Sequence, residues 1–282
     1  MNNLNKVIKF SILSIALAFT PLNAKAQANT KLDTMQCHII GFNLGAICPS
    51  AQLSNVHFPD GTTSKNATMN SLYKAPWLDF GVNTHYKYKS NWLVSINADF
   101  WFGNDNLQNK EDRMQNIYTR EGIIIGANGA DAVVTAYNRG LSFKIGGGKI
   151  FPIQPSKNPN SGILAQLSFG LMQHQTIFMK NEEKAPQLDG DYALLYDHQR
   201  RGFLLSEGIG YWFMSNNANY YNFYIAFEIS QYWSHSTRDY IIDNYLGISG
   251  KDNNKYFDLT YSIKLCWMFP LTGKTTSEYY YY

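Results

Sequence analysis

The sequence predicts an all-β fold: an eight-stranded antiparallel up-and-down transmembrane β-barrel. Three observations predict it. Segments along the chain alternate apolar and polar side chains with a period of two, which sorts them onto the two faces of a strand. Short Asn- and Pro-rich turns alternate with long polar loops. After the N-terminal region, no segment has the roughly 18 continuous apolar residues of a membrane-spanning helix.

The clearest strand lies near the C-terminus, at residues 257–269. Apolar residues from Phe257 to Phe269 occupy every second position, and mostly polar residues such as Asp258 and Lys264 stand between them. A tilted strand needs about 9–11 residues to cross a bilayer, so this segment is long enough. Aromatic residues at both of its ends favour a membrane strand over a strand of a soluble sandwich.

Seven further segments show the same alternation, and with the first they make eight strands. They are residues 37–47, 78–88, 92–102, 141–148, 163–174, 203–214 and 221–230. If Tyr88 faces Trp92 across the short turn, His85 meets Ser95 on the polar side of the hairpin.

The connections between these strands are unequal in a regular way. Three are short, at about 89–91, 151–160 and 215–219, and four are long, at about 48–75, 103–131, 180–201 and 235–254. Short turns at one end and long loops at the other are typical of outer-membrane barrels, with the long loops extracellular and both termini periplasmic. We therefore expect a bacterial outer-membrane protein.

Residues 1–26 have the features of a cleaved export signal. Lys6 and Lys9 precede an apolar run at 10–20, and Ala24, Lys25 and Ala26 form a cleavage site. The mature chain, 27–282, is then a single barrel domain with a short periplasmic tail. Without the three lysines of the signal it carries 21 Lys+Arg and 21 Asp+Glu. This balance lacks the basic footprint of a nucleic-acid-binding protein.

The apolar faces must point to lipid, because an eight-stranded barrel is too narrow to hold so many rings. The inward positions carry charged residues, which we expect to pair as a structural network: Asp79, His85, Lys87, Asp99, Lys144, Glu228, Asp258 and Lys264. A barrel filled in this way conducts little or nothing.

Glu207 breaks the pattern, because it falls among the apolar positions of the sixth strand. Pairing Met214 with Tyr220 across the turn places Glu207 on the lipid face beside Phe227. Two interpretations stay open. A β-bulge turns Glu207 inward, or this wall meets another membrane subunit that supplies a hydrogen-bond donor.

Several short segments resemble a family of Bacteroidota outer-membrane barrel proteins. They are 137–140 (YNRG), 158–164 (NPNSGIL), 186–192 (PQLDGDY), 196–197 (YD) and 278–282 (EYYYY). The resemblance covers most of the chain after residue 77. It implies an outer-membrane location, and it implies no activity. By analogy, barrels of this kind lie near gliding or protein-secretion machinery.

Two motifs have competing interpretations. Residues 146–149 (GGGK) resemble a phosphate loop, but Ile150 stands where Ser or Thr is needed, which favours strand glycines beside lumen side chains.

Cys37 and Cys266 fall on inward positions of the first and last strands. They form either a cross-strand disulfide or two buried thiols, and Cys48 is left unpaired.

A rim hydrolase is the alternative from another functional class. Ser234 and His235 lie where a strand reaches the outer rim, but adjacent strand residues point to opposite faces, which suits a nucleophile and base poorly. Arg200, Arg201 and Arg238 fall in the third and fourth long loops, where they contact lipopolysaccharide phosphates or a protein partner, or are simply solvated.

The sequence thus favours a structural or accessory subunit of an envelope or secretion assembly, whose loops bind a partner or surface. We expect no catalysis, cofactor, metal or nucleic acid. The alternatives are a rim-located hydrolase acting on lipid or surface substrates, and a narrow channel.

Overall fold

The computed structural model describes residues 34–49, 76–103, 117–155, 157–180, 185–196, 199–215, 222–243, 248–251 and 255–271. The predicted export signal, the C-terminal tail and parts of the long loops lie outside these residues. Within them, no helix has the length and apolar character needed to cross a membrane.

Eight long strands close into one antiparallel barrel, which confirms the predicted fold class. They are β1 (Cys37–Pro49), β2 (Trp77–Lys87), β3 (Trp92–Gly103), β6 (Val134–Pro152), β7 (Gly162–Lys180), β8 (Arg200–Phe213), β9 (Asn222–Ser236) and β12 (Lys255–Leu271). Each pairs with its neighbours along the chain, and β1 pairs with β12 to close the ring. We call the side of the β2–β3 turn the short-turn end and the opposite side the long-loop end.

The two faces of the barrel differ as the alternation predicts. Along β3, buried and exposed residues alternate throughout the strand. The inside holds most of the polar and charged strand residues together with two apolar clusters, and the outside carries exposed apolar side chains such as Phe42, Ile263 and Leu265. Aromatic residues collect at both outer edges. Phe213, Phe223 and Trp267 lie at the short-turn end, and Phe203, Trp233 and Phe257 lie at the long-loop end.

The β2–β3 register is the predicted one, with His85 opposite Ser95. Asn91 adopts the left-handed conformation in this turn, at φ 62°, which Asn tolerates better than most residues. The β8–β9 register was predicted wrongly by two residues, because Trp212 pairs with Tyr224 rather than Asn222. A shift of two keeps every side chain on its predicted face, so the error changes neighbours but not orientation.

The long connections contain short elements that alternation did not reveal. The second holds a small hairpin of β4 (Ile124–Ile125) and β5 (Asp131–Ala132). The third holds a 3₁₀ turn, Pro186–Leu188, and a one-and-a-half-turn helix α1 (Asp191–Tyr196). The fourth holds a hairpin of β10 (Asp239–Asp243) and β11 (Ile248–Lys251).

Strands β6 and β7 pair with each other well beyond the barrel wall. β3 pairs with β6 only as far as Asn138, and β8 pairs with β7 only as far as His174. Residues 134–137 and 175–180 therefore project at the long-loop end as a two-stranded extension, which we call the β6–β7 ribbon.

Of the two interpretations of Cys37 and Cys266, the structure agrees with two buried thiols and not with a disulfide. Both thiols are free and buried, and Cys48 is free as well. Cys266 pairs with Asn43, six positions along β1 from Cys37. At about 3.3 Å per residue this separates the cysteines by roughly 20 Å, far beyond the roughly 7 Å that a disulfide tolerates between Cα atoms.

Candidate functional site

A cluster of five charged side chains occupies the middle of the lumen, one from each of five strands. Lys264 Nζ lies 2.9 Å from Asp79 Oδ2, 2.9 Å from Asp99 Oδ2 and 3.4 Å from Glu228 Oε2. Lys144 Nζ lies 2.9 Å from Asp99 Oδ2 and 3.2 Å from Glu228 Oε2. All five side chains are almost completely buried, so each charge depends on its opposite partners for stabilisation.

Amide side chains hold the carboxylates of this ion cluster in place. Asn43 Nδ2 donates to Asp99 Oδ1 at 3.0 Å, and Gln166 Nε2 donates to Glu228 Oε1 at 2.8 Å. The bond from Asn43 passes over Gly81, where an added Cβ would overlap Asp99 Oδ1. A glycine is therefore needed on β2, so that side chains of β1 and β3 can meet across it inside the barrel.

An apolar layer closes the lumen on the short-turn side of the ion cluster. Its members are Cys37, Ile39, Leu93, Ile150, Leu164, Trp212, Met214, Tyr224, Ala226, Cys266 and Met268. His85 lies against this layer, with Trp212 and Tyr224 edge-on at 5.4 and 5.8 Å between ring centroids. Neither ring nitrogen of His85 has a hydrogen-bond partner among the described residues. His85 is buried as predicted, but it does not join the charged network.

An aromatic layer closes the lumen on the other side. Trp101 packs against Trp77 at 5.4 Å and Tyr232 at 5.9 Å, and His174 stacks on Trp77 at 5.6 Å. Gly140 leaves the space that the Trp101 indole occupies. Between this layer and the ion cluster lies a cavity of about 10 Å³, roughly the space of one water molecule. The three layers thus fill much of the described lumen with packed side chains.

Arg200 was predicted to lie in the third long loop, and that prediction is wrong. It is the first residue of β8 and points inward, with its guanidinium carbon 3.8 Å from the centre of the Tyr256 ring. Its Nη1 lies 3.9 Å from Asp258 Oδ2, so Asp258 pairs here and not in the central ion cluster. This contact buries Arg200 and makes it unsuitable for a surface partner.

The other two arginines are more accessible. Arg201, also in β8 and not in the loop, is exposed, and its Nε donates to Gln173 Oε1 at 2.8 Å. Arg238 is half-buried between β9 and β10, and its carbonyl oxygen accepts a hydrogen bond from Ser236 Oγ at 3.0 Å.

The two motifs with catalytic or phosphate interpretations are strand residues. Ser234 points into the lumen and His235 points outward, so the two side chains cannot meet. Residues 146–149 lie within β6, and Lys149 Nζ lies 5.0 Å from the centre of the outer Trp92 ring, which excludes a phosphate loop. Among the described residues, no group of three His, Cys, Asp or Glu side chains has the arrangement of a metal site.

Lys87 is buried as predicted, but it binds at the short-turn end and not in the charged network. Lys87 Nζ donates to Met35 O and to Asn160 Oδ1, both at 2.9 Å. Asn160 Oδ1 also accepts from Met35 N at 2.8 Å. Lys87 therefore joins the N-terminal segment, β2 and the β6–β7 turn.

The same turn makes further bonds across the barrel mouth. Asn158 Nδ2 donates to Met214 O at 2.7 Å, and Asn91 Nδ2 donates to Pro159 O at 2.9 Å. Residues 158–161, part of a segment that carries the Bacteroidota resemblance, thus close the short-turn end.

The second and third long loops pack together on the β6–β7 ribbon. Their shared core consists of Ile124, Ala132, Val134, Ala185, Leu188 and Tyr196, with Ile117, Tyr118 and Phe178 partly buried against it. We call this unit the loop platform. Four large apolar side chains on its elements remain exposed: Ile125 (47%), Val133 (57%), Tyr192 (67%) and Leu194 (43%).

Glu207 lies on the outer face of β8, as the alternation along the strand predicts, and no β-bulge turns it inward. Its direct neighbours are Leu167 on β7 and Ile229 on β9, rather than Phe227. Glu207 Oε1 is covered and has no hydrogen-bond partner among the described residues. The outer wall therefore contains a carboxyl oxygen that no described residue satisfies.

No protein-family model and no curated protein matches this chain. Solved structures with a similar fold include three bacterial proteins. Ail of Yersinia pestis, solved in complex with the heparin analogue sucrose octasulfate, has 11% sequence identity and a TM-score of 0.35, with 83% of this chain and 97% of that chain covered. The N-terminal β-barrel domain of Pseudomonas aeruginosa OprF has 8% identity, coverage of 83% and 100%, and a TM-score of 0.34. Neisserial surface protein A has 8% identity, coverage of 82% and 96%, and a TM-score of 0.34.

Proposed function

We propose that the chain is an exported outer-membrane barrel that anchors its loop platform at the cell surface and acts as a structural or accessory subunit. The outer face supports the location. It is apolar between two rows of aromatic residues, which is the pattern of strands that contact lipid. The short-turn end and both termini then face the periplasm, and the long loops are extracellular. The resemblance of residues 137–140 and 158–164 to Bacteroidota outer-membrane barrels supports the proposed location.

The packed lumen argues against transport. Ions would have to pass the aromatic layer around Trp101, the ion cluster around Lys264 and the apolar layer around Trp212. The cavity between the first two layers has a volume of only about 10 Å³. This arrangement favours a scaffold over a narrow channel.

The loop platform carries the proposed binding function, because it is ordered by its own core and exposes apolar side chains. Ile125, Val133, Tyr192 and Leu194 are large apolar residues in contact with solvent, and exposed apolar groups on a packed unit are typical of protein-binding surfaces. A protein partner, such as a subunit of an envelope or secretion assembly, fits this chemistry. Gln187 Nε2 donates to Ile125 O at 3.2 Å, which holds the two loops in one arrangement.

The test is partner capture from crosslinked membranes with the double variant Tyr192→Ser and Leu194→Asn. We expect the variant to reach the membrane and to capture less of the protein that the wild type captures. The matched control is Ile153→Asn, which removes an equally exposed apolar group at the opposite end of the barrel. Equal capture by all three proteins, or loss of capture in the control alone, contradicts the proposed platform function.

A further inference from the structure

The outer wall formed by β8, β9 and β12 carries a row of polar residues across its apolar surface. Glu207 on β8 and Tyr261 on β12 both pair with Ile229 on β9, so they lie on one hydrogen-bonded row, one strand to either side of β9. We call Glu207 and Tyr261 the wall patch.

The wall patch is polar where a lipid contact should be apolar. The exposed residues around it are apolar, including Phe203, Ile209 and Phe227. Glu207 Oε1 has no hydrogen-bond partner among the described residues. Tyr261 is held by its ring, which stacks on Phe227 at 6.4 Å between centroids. Lipid chains offer no hydrogen bond to either group, and polar groups on a lipid face are unfavourable.

The arrangement of these groups is self-complementary. Two copies inserted in one membrane with the same orientation are related by a two-fold axis along the membrane normal. If that axis passes beside β9, strand β8 of one copy faces β12 of the other. The acceptor Glu207 then faces the donor Tyr261 of the second copy, and the contact occurs twice.

We propose that the wall of β8, β9 and β12 is a dimer interface, in which Glu207 of each copy accepts a hydrogen bond from Tyr261 of the other. The proposal rests on the membrane location given above, and it is independent of the loop platform. A second copy supplies a hydrogen-bond donor to the half-buried Glu207 side chain and removes the wall patch from lipid.

The experiment measures dimerisation of the full mature chain in lipid vesicles, by energy transfer between differently labelled copies at several protein-to-lipid ratios. The wild type should dimerise. Glu207→Leu and Tyr261→Phe should each raise the dimer dissociation constant roughly tenfold, the scale expected for two hydrogen bonds within a bilayer. Thr84→Leu, a polar-to-apolar change on the outer face of β2, should leave dimerisation unchanged.

A mixture of the two variants distinguishes this contact from a general effect on folding. In a dimer of one Glu207→Leu copy and one Tyr261→Phe copy, one of the two contacts keeps both its Glu207 and its Tyr261. The second contact lacks both. It should therefore form more readily than either variant forms a dimer with itself. All variants should show the wild-type difference in gel mobility between heated and unheated samples, which verifies the barrel separately.

Three results would overturn the proposal. The first is a wild type that stays monomeric at every ratio, or that pairs only with a different membrane protein. The second is a dimer that resists both substitutions. The third is a mixed dimer no stronger than the variant dimers.

Discussion

Lys264 Nζ lies 2.9 Å from Asp99 Oδ2, which joins β12 to β3 across the inside of the barrel. These strands are not neighbours in the ring, since β1 and β2 lie between them. The contact between Lys144 on β6 and Glu228 on β9 likewise joins two strands that share no backbone hydrogen bonds. The ion cluster therefore stabilises the cross-section of the barrel as well as filling it.

The first prediction concerns the charge balance of this cluster. Lys264→Met should destabilise the barrel by about 3–5 kcal/mol, because it leaves Asp79, Asp99 and Glu228 buried with Lys144 as their one cation within the cluster. Urea unfolding in lipid vesicles measures the change. The control is Lys149→Met, which removes an outward lysine beside Trp92. Equal unfolding midpoints for the two variants would show that the cluster contributes little.

The second prediction concerns the space above Gly81. Gly81→Ala should destabilise the barrel by about 1–3 kcal/mol, since the added methyl group overlaps Asp99 Oδ1 and displaces the Asn43 bond. Gly147→Ala is a matched control, because its Cβ points outward and meets the nearest atom, Leu93 O, at an ordinary 3.4 Å. Thermal unfolding of both variants gives the comparison. A larger loss in Gly147→Ala than in Gly81→Ala would refute this explanation.

The third prediction concerns the short-turn end. Lys87→Met leaves Met35 O and Asn160 Oδ1 without their shared donor, which should cost about 1–3 kcal/mol and loosen the N-terminal segment. Hydrogen exchange should become faster around residues 34–37 and 158–161 and stay unchanged at the long-loop end. Lys89→Met, a change at an exposed lysine of the neighbouring turn, should leave exchange as in the wild type. Unchanged exchange in Lys87→Met would mean that other contacts hold this end.

The fourth prediction concerns the cysteines. The mature protein, folded under oxidising conditions, should show one mobility with and without reductant, because the register keeps Cys37 and Cys266 too far apart to bond. Mass spectrometry after alkylation of the denatured, non-reduced chain should find all three thiols modified. An intramolecular Cys37–Cys266 crosslink would require a different register between β1 and β12.

Period-two alternation was sufficient to predict the faces of the barrel, because lipid and lumen impose opposite demands on successive residues. Alternation alone predicts that Glu207 points outward and that Asp79 and Lys264 point inward. Alternation does not determine which inward residues contact each other. Contacts across the lumen depend on the relative shift of every strand that lies between the two residues. For this reason His85, Lys87 and Asp258 were assigned to a network that they do not join.

Local pattern also could not predict contacts made by the turns and loops. Asn160 acts through Lys87, 73 residues away in sequence, and the loop platform joins two loops that share no motif. The β8–β9 register was predicted wrongly because the turn after Met214 is longer than expected. Alternation cannot detect a register error of two residues, because every side chain then keeps its face.

The central claim, a closed barrel whose packed lumen obstructs ions, is tested most directly by recording single-channel current across a planar lipid bilayer. The folded mature protein should be inserted at a verified density, using material that migrates differently on a gel before and after heating. The account predicts a baseline indistinguishable from the bare bilayer, because the packed layers around Trp101, Lys264 and Trp212 obstruct hydrated ions. Reproducible, stepwise conductance from the folded wild type would contradict it.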